Sequence, residues 1–259
     1  MTPTANSIGC PVADDSMTLP VLFQDEHLVV IHKPSGWLVH RTGLDAGETR
    51  FVVQTLRDQI GQKVFPVHRL DKGTSGVLVL ALHADAARGM SEIFSGHHID
   101  KRYWAMVRGW PAQQEWAVDH ALKPDDAPED APAQDARTAF RCLAQLSLPI
   151  PVDRYPSTRV ALVEARPQTG RRHQIRRHLK HVSHPIIGDA THGKGAHNRW
   201  WAGHLGINRL WLHARSLSWQ HPMTGQTLQI ESDICQPFNE DWQRLLTEDW
   251  MSPVGDLGR

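Results

Sequence analysis

The 259-residue sequence predicts an α+β fold with a largely antiparallel mixed β-sheet flanked by helices and loops. Short aliphatic and β-branched runs follow one another in hairpin-like succession, divided by Gly- and Pro-containing turns. A few stretches with helical spacing are interleaved with them. Neither a GxGxxG loop nor a P-loop occurs, so the parallel nucleotide-binding architectures lose their main signal and no cofactor is expected.

Taken in order, Met1 to Thr18 mix Pro, Ser, Thr, Ala and Asp without periodicity and are expected to be a disordered tail, with one domain over 19–259. Leu28 to Ile31 is a strand ending in the Pro34-Ser35-Gly36 turn, and Trp37 to His40 is expected as a second short strand. Phe51, Val52, Leu56 and Ile60 give helical spacing over about 48–60. The run Val77 to Leu82 is a buried strand, followed by a helix over about 84–95 that buries Ala87, Met90 and Phe94. Lys101 to Gly109 alternates as a strand, with Tyr103, Ala105 and Val107 on one face. Residues 111–136 are acidic and Pro/Ala-rich, a surface loop; 138–146 and 158–165 are strands. A helix is expected over about 172–182, burying Ile175, Leu179 and Val182. Gly, His, Asn and Trp dominate 188–206, which reads as a long loop. Strands over 210–217 and 227–230 and a helix over about 237–246 complete the chain.

No apolar run approaches the roughly 18 residues of a membrane span. The N-terminus carries no basic segment followed by an apolar core, so a cytoplasmic protein is expected. Cys10, Cys142 and Cys235 are far apart and form no CxxC pair, which indicates neither a disulfide framework nor a zinc site. The histidines total 17, but none falls in an HExxH pattern and those at 173–184 sit among cations, so no metal is expected. Net charge is zero but segregated: Arg166 to Lys180 hold six Lys/Arg and no acid, whereas Glu115 to Asp135 hold seven acids and one Lys. A neutral protein with a segregated basic face can bind a polyanion through that face.

Two stretches concentrate the chemistry. The first is Pro66 to Gly76, in which Asp71 sits on a Gly/Ser/Thr turn leading into a buried strand, with His68, Arg69 and Lys72 within three residues. Opposite charge can keep a carboxylate ionised at a core edge where desolvation alone would protonate it. A salt-bridged turn beside a strand is the plainer reading of the same residues. The second is Arg171 to His181, where Arg172, Arg176 and Lys180 share one helical face and Arg177 shares another with His181. No acid lies at i±3 or i±4, so these charges repel unless an anion such as RNA phosphate meets them; a solvated basic face is the alternative.

His68-Arg69-Leu70-Asp71 with Thr74-Ser75-Gly76 resembles the signature of the RluA-type pseudouridine synthases, as do Thr169-Gly170-Arg171 with His173-Gln174-Ile175-Arg176, the Lys101-x-Tyr103 strand and Leu212-His213-Ala214. The resemblance runs from about residue 19 to 235. It implies the catalytic fold of that family and an RNA uridine isomerase without a cofactor. Asp71 would be the catalytic carboxylate, Arg176 its partner and Tyr103 the residue stacked on the base. Leu212 would help pack the base, Arg69 would fill the space left by a flipped-out nucleotide, and His68 would support the turn. Arg172, Arg177 and Lys180 would contact RNA. The strings Lys33 to Arg41, Arg154 to Arg159 and His184 to Asp189 are most similar to the branch acting on tRNA at uridine 65, with ribosomal RNA as the alternative substrate. No S4-type RNA-binding domain is recognisable, so specificity is expected to lie in the catalytic domain, as a monomer without an obligate protein partner. Thr191-His192-Gly193 departs from the family, where a tyrosine often precedes this glycine. A silent RNA-binding module and a carboxylate glycosidase are the rival classes; the second needs another acid, and none lies in the Asp71 loop.

Overall fold

The computed structural model describes residues 18–41, 47, 49–124, 127–128 and 130–251. The expected N-terminal tail falls, up to residue 17, outside the described residues. In chain order the elements are β1 (Val21–Gln24), β2 (Leu28–Lys33), α1 (Val52–Ile60), β3 (Phe65–Pro66), β4 (Ser75–Ala81), α2 (Ala84–Ser95), β5 (Ile99–Arg108), β6 (Glu115–Asp119), β7 (Arg137–Leu148) and β8 (Thr158–Pro167). There follow α3 (Gln174–His181), α4 (Gly195–Leu205), β9 (Leu212–Gln220), β10 (Thr227–Glu231), a 3-10 turn (Pro237–Asn239) and α5 (Glu240–Leu246).

The strands form one sheet in the order β1-β2-β4-β9-β5-β8-β7-β6, with β10 added on β9 and β3 on β4. Every pairing is antiparallel except β4 with β9, which run parallel over Ser75↔His213 and Gly76↔Ala214. That short seam is where the two halves of the sheet join. Gly76 lies in it with φ +110°, and a Cβ there would run into the Ala214 carbonyl, so glycine is required at the base of the Asp71 turn.

On one side of the seam, β2 and β4 are buried on both faces. Val29, Ile31, Leu78 and Leu80 pack with Val52 and Leu56 of α1; Leu28, Val30, Val77 and Val79 pack with Ala86 and Met90 of α2. Burying each such side chain contributes about 1.5–3 kcal/mol. This explains why both strands read as continuous apolar runs rather than alternating ones. On the other side, β5, β7, β8 and β9 share the largest core with Leu179, Trp201, Trp211 and Trp242.

Four sequence expectations are corrected. Trp37 to His40 is not a strand; only an isolated bridge links Leu38 to Phe51, while Trp37 and Val39 are buried through side-chain packing. The acidic 111–136 stretch contains the edge strand β6, held by Val118 in the core and by Trp116 stacked on Phe140 at 5.3 Å. The 188–206 stretch contains α4, which ends at Gly206 in the left-handed region and buries His197, Trp201 and Leu205. The basic helix begins at Gln174, so Arg172 lies in the turn before it and is not on a common face with Arg176 and Lys180. No helix among the described residues is long and apolar enough to cross a membrane.

Candidate active site

Asp71 is placed by the turn that enters β4, and the turn is fastened from below by β2. Lys72 O accepts from Gly36 N at 2.8 Å and from Lys33 Nζ at 3.1 Å, while Ser35 Oγ donates to Gly73 O at 2.8 Å. Lys33 is fully buried, and desolvation, then the nearby Arg209 guanidinium, pull its pKa down to about 7 against the opposing charge of Asp71. Arg209 is buried beside it, donating to Ser75 Oγ at 2.6 Å and to Asp241 at 3.0 Å.

Arg176 arrives from α3, which Gln174 pins to β7 by donating to Arg137 O and Thr138 Oγ1, at 3.1 and 3.0 Å. His178 adds a contact to Thr138 Oγ1 at 3.0 Å. With that face of the helix anchored, Arg176 NH1 donates to Asp71 Oδ2 at 2.9 Å across 105 positions of sequence. Its other two donors grip Asp189: Nε to Oδ2 at 2.7 Å and NH2 to Oδ1 at 2.8 Å. Burial opposes the Arg176 cation, but the bonds and charge of Asp189 and then Asp71 prevail and raise its pKa. Burial likewise pushes Asp189 up, and the Arg176 bonds with the amides of His192 and Thr191 overturn it, holding Asp189 below the ordinary carboxylate value. Gly188, φ +80°, lets the chain pass so close to the Arg209 carbonyl that no Cβ fits, which sets the Asp189 position.

Asp71 lies where two cavities, of about 610 and 650 Å³, share lining residues, along with Arg69, His173 and Arg176. The larger is lined further by Tyr103, Leu212, His68, Lys101 and Phe94; the smaller by Arg172, Asp189 and Arg209. Both volumes suit a nucleotide-sized group. Burial, then the Asp71 charge, drives the Tyr103 phenol well above its usual pKa, so it is a neutral hydroxyl on a flat, partly buried ring. His173, in a left-handed conformation with φ 54°, brings Nε2 to 3.8 Å from Asp71 Oδ2. A partly exposed carboxylate beside an oriented guanidinium, an aromatic face and a leucine can work on a planar polar ring whose sugar faces the carboxylate.

The structure thus brings together Asp71, Arg176, Tyr103, Leu212, Arg69 and Arg172. His68 also borders the larger cavity, with its Nε2 accepting from Val79 N at 3.0 Å and its ring stacked on Phe94; burial, then Lys101, pulls its pKa to about 3, so it stays neutral. Arg177 points elsewhere, donating to Lys123 O at 2.7 Å, and Lys180 is exposed on the helix; neither lines these cavities. The sequence assigns no site role to Asp189, Lys33 or Arg209, and offers His173 only among the histidines set aside as metal ligands. Asp189 had a signal: an arginine-rich helix with no acid at i±4 needs its counter-charge from another segment.

A family model described as RNA pseudouridylate synthase matches residues 27–181. The chain is 48% identical over 237 residues to the "tRNA pseudouridine synthase C" of Vibrio cholerae, covering 89% of this chain and 95% of that protein. It is 47% identical over 237 residues to the protein of the same name from Salmonella typhimurium, covering 89% of each. Among solved structures, "Human RNA Pseudouridylate Synthase Domain Containing 4" superposes with a TM-score of 0.65 at 27% identity, over 91% of this chain and 95% of the other. The chain belongs to the RNA pseudouridylate synthase family.

Proposed function

We propose that this chain converts one uridine of tRNA to pseudouridine, with Asp71 as the catalytic carboxylate. The observation that carries the reading is the Asp71–Arg176 pair at 2.9 Å in a cavity shared with Tyr103 and Leu212. The tRNA substrate is supported by the printed names of the bacterial relatives, and uridine 65 by the resemblance of residues 33–41, 154–159 and 184–189 to that branch.

The reaction breaks the N1–C1′ bond, turns the uracil and joins C5 to C1′; the C5 proton is lost and N1 gains one, so nothing is consumed. Asp71 acts at the sugar, by attack on C1′ or by removing a sugar proton. Arg176 is the orienting partner: its fork is locked by Asp189, so its third donor meets Asp71 at a fixed angle. Tyr103 and Leu212 hold the base between a ring and an aliphatic side chain, and Arg69, exposed at the rim, replaces the extruded nucleotide in the stack. Unstacking costs a few kcal/mol, which these contacts offset.

The test is a pseudouridine map of unmodified tRNA and ribosomal RNA after incubation with the protein. One new site in tRNA, at position 65, is expected. A site only in ribosomal RNA overturns the substrate, and free uracil in place of pseudouridine overturns the reaction.

A further inference from the structure

A third cleft, of about 410 Å³, opens at the far end of β5. Arg108, five residues beyond Tyr103 on that strand, lies about 17 Å along it at the rise of an antiparallel strand. The Arg108 guanidinium is 5.7 Å from the Tyr155 ring centre, Arg154 is 5.4 Å from the same ring, and Arg159 is 4.8 Å from the ring of Trp110. Among the described residues, no acidic side chain lines the cleft. Two lining cations, Arg108 and Arg159, each set against an aromatic ring with no acid among the described lining residues, make a surface for an anion rather than an internal salt bridge.

A second observation points the same way. His197 of α4 lines this cleft at 3% exposure, and neither of its ring nitrogens has a hydrogen-bond partner among the described residues. His184, its neighbour in the cleft, is satisfied by Arg108 O at 2.9 Å. A buried polar group left unmatched is costly, so a ligand that pairs with the His197 ring would recover that loss on binding. Burial, then the Arg108 charge, lowers the His197 pKa against the pull of Asp153, so the imidazole is neutral, with one donor and one acceptor. That pair matches a base edge or a ribose 2′-hydroxyl, which also donates and accepts.

We infer that this cleft is a second RNA-binding site, which takes one nucleotide of the substrate tRNA other than the target uridine. Its phosphate meets Arg108 and Arg159, and its base edge or 2′-hydroxyl meets His197. The inference rests on tRNA being the substrate. It supplies a contact distant from Asp71 by which this chain can select its RNA.

Filter binding of unmodified tRNA over a range of salt tests the phosphate contacts in Arg108→Ala/Arg159→Ala. Affinity is expected to fall about tenfold or more, with the log–log salt slope reduced by about 1, as for the loss of one neutralised phosphate. Unchanged affinity and slope, or weaker binding at an unchanged slope, overturns the site. His197→Leu separates binding from folding. Removal of an unmatched polar group should leave the melting temperature equal or higher while KM for tRNA rises more than kcat falls; a lower melting temperature with KM unchanged overturns it. Wild-type protein that binds tRNA with the full slope yet makes no pseudouridine would defeat the reading of Asp71 and leave this site standing.

Discussion

Arg176 holds two carboxylates, and they differ in every respect that matters to chemistry. Asp189 has a side chain with 0% exposure, both oxygens gripped by the guanidinium, and two backbone amides on Oδ1. Asp71 is 26% exposed and takes one bond from the same arginine on Oδ2, facing two cavities. The saturated carboxylate is committed to the fold; the undersaturated one retains acceptor capacity for a substrate. The arginine joins them, so the rigidity of the first becomes the orientation of the second.

Removing the link should give the largest effect. Arg176→Ala leaves Asp189 buried without its counter-charge and should destabilise the protein by about 3–5 kcal/mol in urea unfolding. Below the unfolding transition, single-turnover isomerisation should drop far more than tRNA affinity, because this arginine faces a carboxylate and not phosphate. Equal losses would contradict the pairing. Arg176→Lys keeps the charge but loses the fork, and a single ammonium cannot bridge both carboxylates. One lost charge-assisted bond is worth about 1.5–3 kcal/mol, so turnover should fall about tenfold or more while the fold survives. Wild-type turnover in this variant would show that fork geometry is unimportant.

The smallest effect concerns the platform beneath Asp71. Lys33 is pulled to about 7 in the folded protein from an ordinary 10.5. Between those values the unfolded chain binds a proton that the folded one does not, so stability rises with pH over that window and the penalty is fully present below 7. This contribution has a slope on the order of 1 kcal/mol per pH unit. Denaturant midpoints at pH 7 and 9 should therefore diverge more in wild type than in Lys33→Met; equal differences would contradict the assignment.

The sequence was most informative where local pattern and tertiary role agree. The apolar run of β4 fixes its own strand and hence the turn bearing Asp71, and motif resemblance connected Asp71 to Arg176 across 105 positions. It was least informative where tertiary packing overrides composition. α4 is rich in Gly, His, Asn and Trp and lacks a clear apolar stripe, and it is helical because Trp201 and Leu205 fill the main core. β6 is hidden by acidic surroundings and needs β7 as its template. Asp189 ends the His184 to Asp189 string that resembles the tRNA branch, yet its partner is 13 residues away and is brought to it only by folding. The spacing that put Arg172, Arg176 and Lys180 on one face assumed that the helix begins two residues early, and the left-handed His173 prevents that.

The most direct measurement compares Asp71→Asn with Asp189→Asn, taking urea stability and pseudouridine formation on each. Asp71→Asn is expected to stay within about 1 kcal/mol of wild-type stability, as for a partly exposed ion pair, and to lose at least ~10³-fold in turnover, the scale of removing a catalytic group. Asp189→Asn should instead lose about 3 kcal/mol, as for a buried pair broken on one side, while keeping measurable isomerisation under folding conditions. Turnover by Asp71→Asn within tenfold of wild type, with the fold intact, would contradict the assignment of chemistry to Asp71.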